Sequence, residues 1–67
     1  MPMTPREMIR LLNKYGYIEI SQNGSHKKMY NKALNKTIIV PYHSKELKRG
    51  LEQGILKQAG IKREELQ

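Results

Sequence analysis

The sequence predicts an α+β fold in which one helix is followed by three antiparallel strands and a second helix. Apolar residues recur at helical spacing near both ends of the chain, and apolar and polar residues alternate in the middle. Two amphipathic helices can cover one face of a three-stranded sheet and leave the other face open. Because 67 residues allow one small core, we expect a single domain over residues 1–67.

The first helix is predicted with both of its ends marked. Thr4 is a good N-cap, Pro5 occupies the first helical position, and Glu7 completes a capping box with Thr4. Gly16 is placed to end the helix. The residues at helical spacing that form its apolar stripe are Met8, Ile9, Leu11, Leu12 and Tyr15.

The first strand is predicted over residues 17–21. Ile18 and Ile20 fall on one face and their neighbours on the other, a pattern typical of a half-buried strand. Asn23 and Gly24 follow, and an Asn-Gly pair strongly favours a hairpin turn.

The second strand is predicted over residues 25–30. Met29 is the residue of this strand most suited to the core. Because side chains alternate along a strand, we expect His26, Lys28 and Tyr30 to share the open face.

A polar loop over residues 31–36 leads to a third strand over residues 37–40, which is rich in β-branched residues. Ser44 is expected to cap a short turn, and residues 62–66 to add one loose turn at the end of the chain. Gly54 lies inside the predicted second helix at a cost of about 1 kcal/mol relative to Ala, which indicates a close backbone approach. The expected buried stripe of that helix is Leu51, Ile55, Leu56 and Ala59. This order of elements is the topology of the double-stranded RNA-binding domain.

Charge is the most informative feature of the composition. Thirteen Lys and Arg residues oppose six Asp and Glu residues, for a net charge of +7. A basic surface of this kind favours RNA or DNA as a partner. The seven basic residues between His26 and Arg49, against the single acid Glu46, are Lys27, Lys28, Lys32, Lys36, Lys45, Lys48 and Arg49.

Several classes of protein and site are disfavoured. The chain has no cysteine, which excludes a disulfide framework and a thiolate metal site. Its carboxylates are scattered singly apart from Glu64-Glu65, so we expect no two-metal site, no bound metal and no cofactor. No apolar run has the length of a membrane span and no signal peptide is recognisable, so we expect a soluble cytoplasmic protein with no membrane contact.

Residues 24–30 (Gly-Ser-His-Lys-Lys-Met-Tyr) are the best candidate for a site of chemistry. Imidazole titrates near neutral pH, so His26 could act as an acid or a base on RNA, which carries its own 2′-hydroxyl nucleophile. The groups that could hold the phosphate are Ser25, Lys27, Lys28 and Tyr30. The alternative is that Gly-Ser is an ordinary turn and Lys-Lys a solvated surface.

A family resemblance rests on several short motifs. They are the Gly-Ser-His turn at residues 24–26, Tyr30, the Ile-Val-Pro of residues 39–41 with His43 two positions on, Gly50-Leu51, and residues 55–61. Over residues 4–66 the chain resembles the HicA toxins, the mRNA interferases of type II toxin–antitoxin pairs. The resemblance implies a ribosome-independent endoribonuclease with the double-stranded RNA-binding-domain-like fold, neutralised by a HicB-type antitoxin. It places the catalytic histidine on His26. The chain departs from the family at residues 31–36, where an Asp-Gly type turn is expected.

Two further groups have open roles. His43 is either a second proton carrier or a structural hydrogen-bonding group. Lys45, Lys48 and Arg49 precede the second helix, where they either grip RNA phosphates or only solvate the helix start. The alternatives to an mRNA-cleaving enzyme are a non-catalytic RNA-binding module on the same basic face and a small structural protein associated with the ribosome.

Overall fold

The computed structural model describes residues 3–43 and 45–62 and confirms the predicted α-β-β-β-α order. The three strands form one antiparallel sheet in the order β1-β2-β3, so β2 is central. The expected cap at Ser44 and residues 63–66 of the turn expected over 62–66 lie outside the described residues. The elements are α1 (Pro5–Lys14), β1 (Ile18–Asn23), β2 (His26–Asn31), β3 (Lys36–Pro41) and α2 (Arg49–Ala59).

Both helices pack on one face of the sheet, here called the inner face. The opposite face, here called the open face, carries no helix formed by the described residues. Within the described ranges neither helix is long and apolar enough to span a membrane. The core between helices and sheet consists of Met8, Leu12, Tyr17, Met29, Ile38, Val40, Leu47, Ile55, Leu56, Ala59 and Ile61.

The ends of α1 are formed as the sequence predicts. The Thr4 side chain accepts the Glu7 N–H, and the Glu7 carboxylate accepts the Thr4 N–H at 2.9 Å, which completes the capping box. At the other end Gly16 has a φ of 94°, a conformation that favours glycine. The chain turns back there, so the Tyr17 N–H donates to the Leu12 carbonyl at 2.9 Å and the Tyr17 ring enters the core.

The prediction that β1 is half-buried is wrong. Every residue of the strand is exposed, including Ile18 at 60% and Ile20 at 50%. The cause is a β-bulge, because the pairing with β2 shifts between Glu19 and Ser21 and leaves Ile20 without a partner. Beyond the bulge Ile18 lies opposite Tyr30, which places it on the open face.

The segment between β2 and β3 is a tight turn built on two asparagines. Asn31 is buried, its Nδ2 donates to the Tyr15 carbonyl at 3.1 Å, and its Oδ1 accepts the Leu34 N–H at 3.0 Å. Asn35 has a φ of 53°, a conformation that asparagine tolerates better than most residues. These two residues close the hairpin without an Asp-Gly pair.

Helix α2 differs from the prediction at two positions. Leu51 is 41% exposed and does not belong to the buried stripe, whereas Leu47, before the helix, is buried. A Cβ added at Gly54 would meet no atom within 4 Å, so the expected close backbone approach is wrong. The side of α2 that carries Gly54 is therefore open.

Candidate functional site

The open face of β2 carries the side chains that strand alternation predicts. Met29 is fully buried on the inner face, His26 and Lys28 are exposed, and Tyr30 is half-buried. Among the described residues no hydrogen bond or ion pair occupies the His26 or Lys28 side chain. Both groups are therefore available to a ligand.

His26 and Lys28 lie in one open depression, together with Ser21, Asn23 and Ile39. Strand pairing explains the grouping: His26 lies opposite Asn23 of β1, while Lys28 lies opposite Ser21 of β1 and Ile39 of β3. Two residues of a strand separate the Cα atoms of His26 and Lys28 by about 7 Å. One phosphodiester group can contact both side chains over such a distance.

The bulge in β1 keeps a carboxylate off the open face. In a regular hairpin with the same turn, Glu19 would lie opposite Tyr30 and share the open face. The bulge instead places Glu19 opposite Met29, and its Oε1 lies 2.9 Å from Lys27 Nζ. The described residues that register assigns to the open face are therefore neutral or basic, which favours a polyanion.

Lys27 does not share the surface of His26. Its side chain is only 16% exposed, and it forms the ion pair with Glu19. The Nζ atom also lies 4.4 Å from the centre of the Tyr42 ring, in cation–π contact. Lys27 thus links β1 to the segment after β3. Its expected RNA contact stays a prediction, and it would require the side chain to leave Glu19 and the Tyr42 ring.

Ser25 and Tyr30 lie at opposite ends of β2. The Ser25 carbonyl accepts the Tyr42 N–H, which ties the turn before His26 to the segment before His43. Tyr30 O–H donates to Asn35 Oδ1 at 3.2 Å, and four residues of strand put it about 13 Å from His26. A single phosphate group does not reach both His26 and the Tyr30 hydroxyl.

His43 lies outside the depression of His26. The exposed His43 borders one depression with Thr4, Arg6 and Tyr42, and another that includes Lys45, Glu46 and Lys48. Lys45, Lys48 and Arg49 are all exposed. We call His43, Lys45, Lys48 and Arg49 the connector patch, because they occupy the connection from β3 to the start of α2.

Sequence reasoning missed Ser21, Asn23 and Ile39 as neighbours of His26. A two-residue turn at Gly24 and Ser25 would have placed Asn23 beside His26 and Ser21 beside Lys28. The two turn residues are Gly24 and Ser25, and not Asn23 and Gly24, because Asn23 pairs with His26. Gly24 has a φ of 62° and supplies the positive φ that such a turn requires. Ile39 follows only from the register of β2 with β3, for which the sequence carries no comparable signal.

Metal-binding side chains are not clustered in the described part of the chain. No group of three His, Asp or Glu side chains there is arranged to hold a metal ion. The depression on the open face offers one imidazole, one ammonium and neutral polar groups. This set suits proton transfer and phosphate binding.

Comparison with known proteins gives a family. Among curated proteins, none is similar enough to this chain to count as a match. The family model described as the HicA toxin of bacterial toxin–antitoxin matches residues 5–61 of the 67 residues. That family is generally one of ribonuclease toxins, which act on RNA and are paired with an antitoxin. The match runs from the first residue of α1 to just beyond α2, so the chain belongs to the HicA toxin family.

Proposed function

We propose that this toxin cleaves mRNA as an endoribonuclease and that His26 performs one of the two proton transfers. The observation that carries the proposal is the joint placement of His26 and Lys28 in one exposed depression. Family membership supports RNA as the substrate. The lack of carboxylates among the described residues of the open face supports binding of a phosphate there.

The chemistry needs no nucleophile from the protein. A base removes the proton of the 2′-hydroxyl, whose oxygen attacks the adjacent phosphorus. The bond from phosphorus to the 5′-oxygen breaks, and that oxygen leaves with a proton. The products are a 2′,3′-cyclic phosphate and a 5′-hydroxyl. His26 serves as the base or the acid, and the Lys28 ammonium stabilises the charge that develops on the phosphate oxygens.

Other residues extend the contact with RNA. Ser25 lies in the turn beside His26, and Tyr30 lies further along the same face of β2. The connector patch offers further cations for neighbouring phosphates. The role of His43 as second proton carrier stays a prediction. The proposal does not depend on that role, because His43 borders depressions other than that of His26.

The proposed inhibitor is a HicB-type antitoxin that covers the His26 depression. An inhibitor of a surface that is neutral or basic is expected to bring carboxylates toward Lys28 or Arg49. Such electrostatic complementarity makes association fast and sensitive to salt. We place the reaction in the cytoplasm, where mRNA is translated.

The test is cleavage of a synthetic single-stranded RNA by the purified chain, with and without EDTA. We expect cleavage to persist in EDTA, because the proposed mechanism uses only side chains of the depression. The products should carry 2′,3′-cyclic phosphate or 3′-phosphate ends. A 2′-deoxy substitution at the cleaved position should block the reaction, because it removes the nucleophile.

A strict requirement for Mg²⁺ with 5′-phosphate products would overturn this mechanism. Binding without cleavage, under every condition tried, would instead favour the non-catalytic RNA-binding module. Both outcomes are read from the same gel and from analysis of the product ends.

A further inference from the structure

A groove separate from the depressions of His26 and His43 lies between β3 and α2. Its lining is uncharged and consists of Thr37, Ile39, Gly50, Leu51, Gly54, Ile55 and Gln58. Two of its large apolar side chains are unusually exposed, Ile39 at 45% and Leu51 at 41%. Gly50 and Gly54 have no side chain that would fill the groove on the helix side. The space beside them is open, since a Cβ at either position would meet nothing within 4 Å.

This groove adjoins the depression of His26. Ile39 lines both, and it lies directly opposite Lys28 across the strand pairing. A chain segment seated in the groove can therefore extend past Ile39 onto the surface that carries Lys28 and His26.

The lining of the groove favours a polypeptide over RNA. None of the seven lining residues is cationic, so a phosphate there would gain no counter-charge. Apolar side chains such as Ile39 and Leu51 are suited instead to an aliphatic or aromatic side chain of a protein partner.

The rim of the groove is basic. Lys28 lies opposite Ile39, Lys36 Nζ donates to the Gln58 carbonyl at 3.2 Å, and Arg49 precedes Gly50 at the start of α2. A second copy of this chain, also at +7, would bring like charges together. A partner with carboxylates beside its apolar residue complements both the lining and the rim.

We infer that the groove between β3 and α2 anchors a segment of the antitoxin, through one apolar side chain flanked by acidic residues. The apolar side chain sits against Leu51 and Ile39, over Gly54. The acidic flank lies over Lys28 and covers His26. This inference rests on the proposed toxin function, for which it names the anchoring site of the inhibitor.

The experiment compares three variants for affinity to the purified antitoxin that is encoded with this chain, measured by calorimetry. Leu51→Ala removes the exposed apolar wall, and Gly54→Gln fills the groove. Leu34→Ala is the matched control, because Leu34 is 53% exposed in the turn between β2 and β3 and does not line the groove. Thermal melts establish that each variant is folded, and Gly54→Gln should melt higher than the parent because glutamine favours a helix.

We expect Leu51→Ala and Gly54→Gln each to raise the Kd for the antitoxin by about tenfold or more, as is typical of anchor residues. Leu34→Ala should leave the Kd unchanged. Cleavage of RNA by the free variants should match the parent. The assignment is overturned if neither groove variant weakens binding of the antitoxin, or if both variants weaken binding of RNA instead.

Two further readouts separate the alternatives. Sedimentation of the free chain would overturn the inference if it showed self-association that Leu51→Ala removes. Failure of the parent chain to cleave RNA would remove the proposed mechanism, but the calorimetric comparison would still decide whether the groove binds the antitoxin.

Discussion

The two faces of β2 show how one strand serves both the fold and the site. Lys27 and Lys28 are consecutive and chemically identical, but alternation along the strand sends them to opposite faces of the sheet. Lys27 is held between Glu19 and the Tyr42 ring, while no described residue forms a hydrogen bond or ion pair with the Lys28 side chain. A pair of adjacent lysines is therefore not one cationic unit, since one stabilises the sheet and the other is free to bind.

The same contrast extends along the strand. On the inner face Met29 is fully buried against the core, and on the open face His26 is exposed beside Lys28. Substitutions on the inner face should change stability, and substitutions on the open face should change function.

The largest effect on stability is expected at Met29. Met29→Ala removes a fully buried side chain from the central strand of a small core and should cost about 2–5 kcal/mol in the free energy of unfolding. Urea denaturation followed by circular dichroism measures the loss. A cost below about 0.5 kcal/mol, the size expected of an exposed position, would contradict the assignment of the inner face.

A smaller loss is expected from Lys27→Ala. This substitution removes a partly exposed ion pair and a cation–π contact, which together contribute about 1–2 kcal/mol. Lys28→Ala is the matched control and should stay within about 0.5 kcal/mol of the parent. Equal effects of the two substitutions in the same urea titrations would break the distinction between the faces.

The smallest effect concerns the salt dependence of RNA binding. Anisotropy titrations with a 2′-O-methyl RNA strand, which lacks the free 2′-hydroxyl nucleophile, give log K against log salt. If Lys28 contacts one phosphate, Lys28→Ala should reduce the slope by about 0.7, the value for one contact on a single strand. A folded Lys27→Ala variant should keep the parental slope. A reduction with Lys27→Ala alone would assign the RNA contact to the other face.

Local signals explain what the sequence could predict. The capping box of Thr4 and Glu7 and the turn at Gly16 involve residues close in the chain, so both ends of α1 were predictable. The open face of β2 followed from Met29, because one buried residue fixes the orientation of its neighbours.

Non-local pairing explains what the sequence could not predict. The bulge at Ile20 depends on how β1 meets β2, and it decides that Glu19 reaches Lys27 and not the open face. Burial of Leu47 and exposure of Leu51 depend likewise on how α2 lies against β3. Neither outcome has a signature within a few residues of the position concerned.

The most direct test of the proposed site is His26→Ala, measured as RNA cleavage and as thermal stability on the same preparation. His26 is exposed and unpaired within the described residues, so its loss should change the free energy of unfolding by no more than about 0.5 kcal/mol. Cleavage should fall by about 10² to 10⁴-fold, because one proton-transfer group is removed. His43→Ala is the matched histidine variant: it should retain far more activity if His43 is structural, and should lose a comparable factor if His43 is the second proton carrier. If His26→Ala is folded and cuts RNA at the parental rate, the open-face site is contradicted; if it unfolds, His26 is a structural residue.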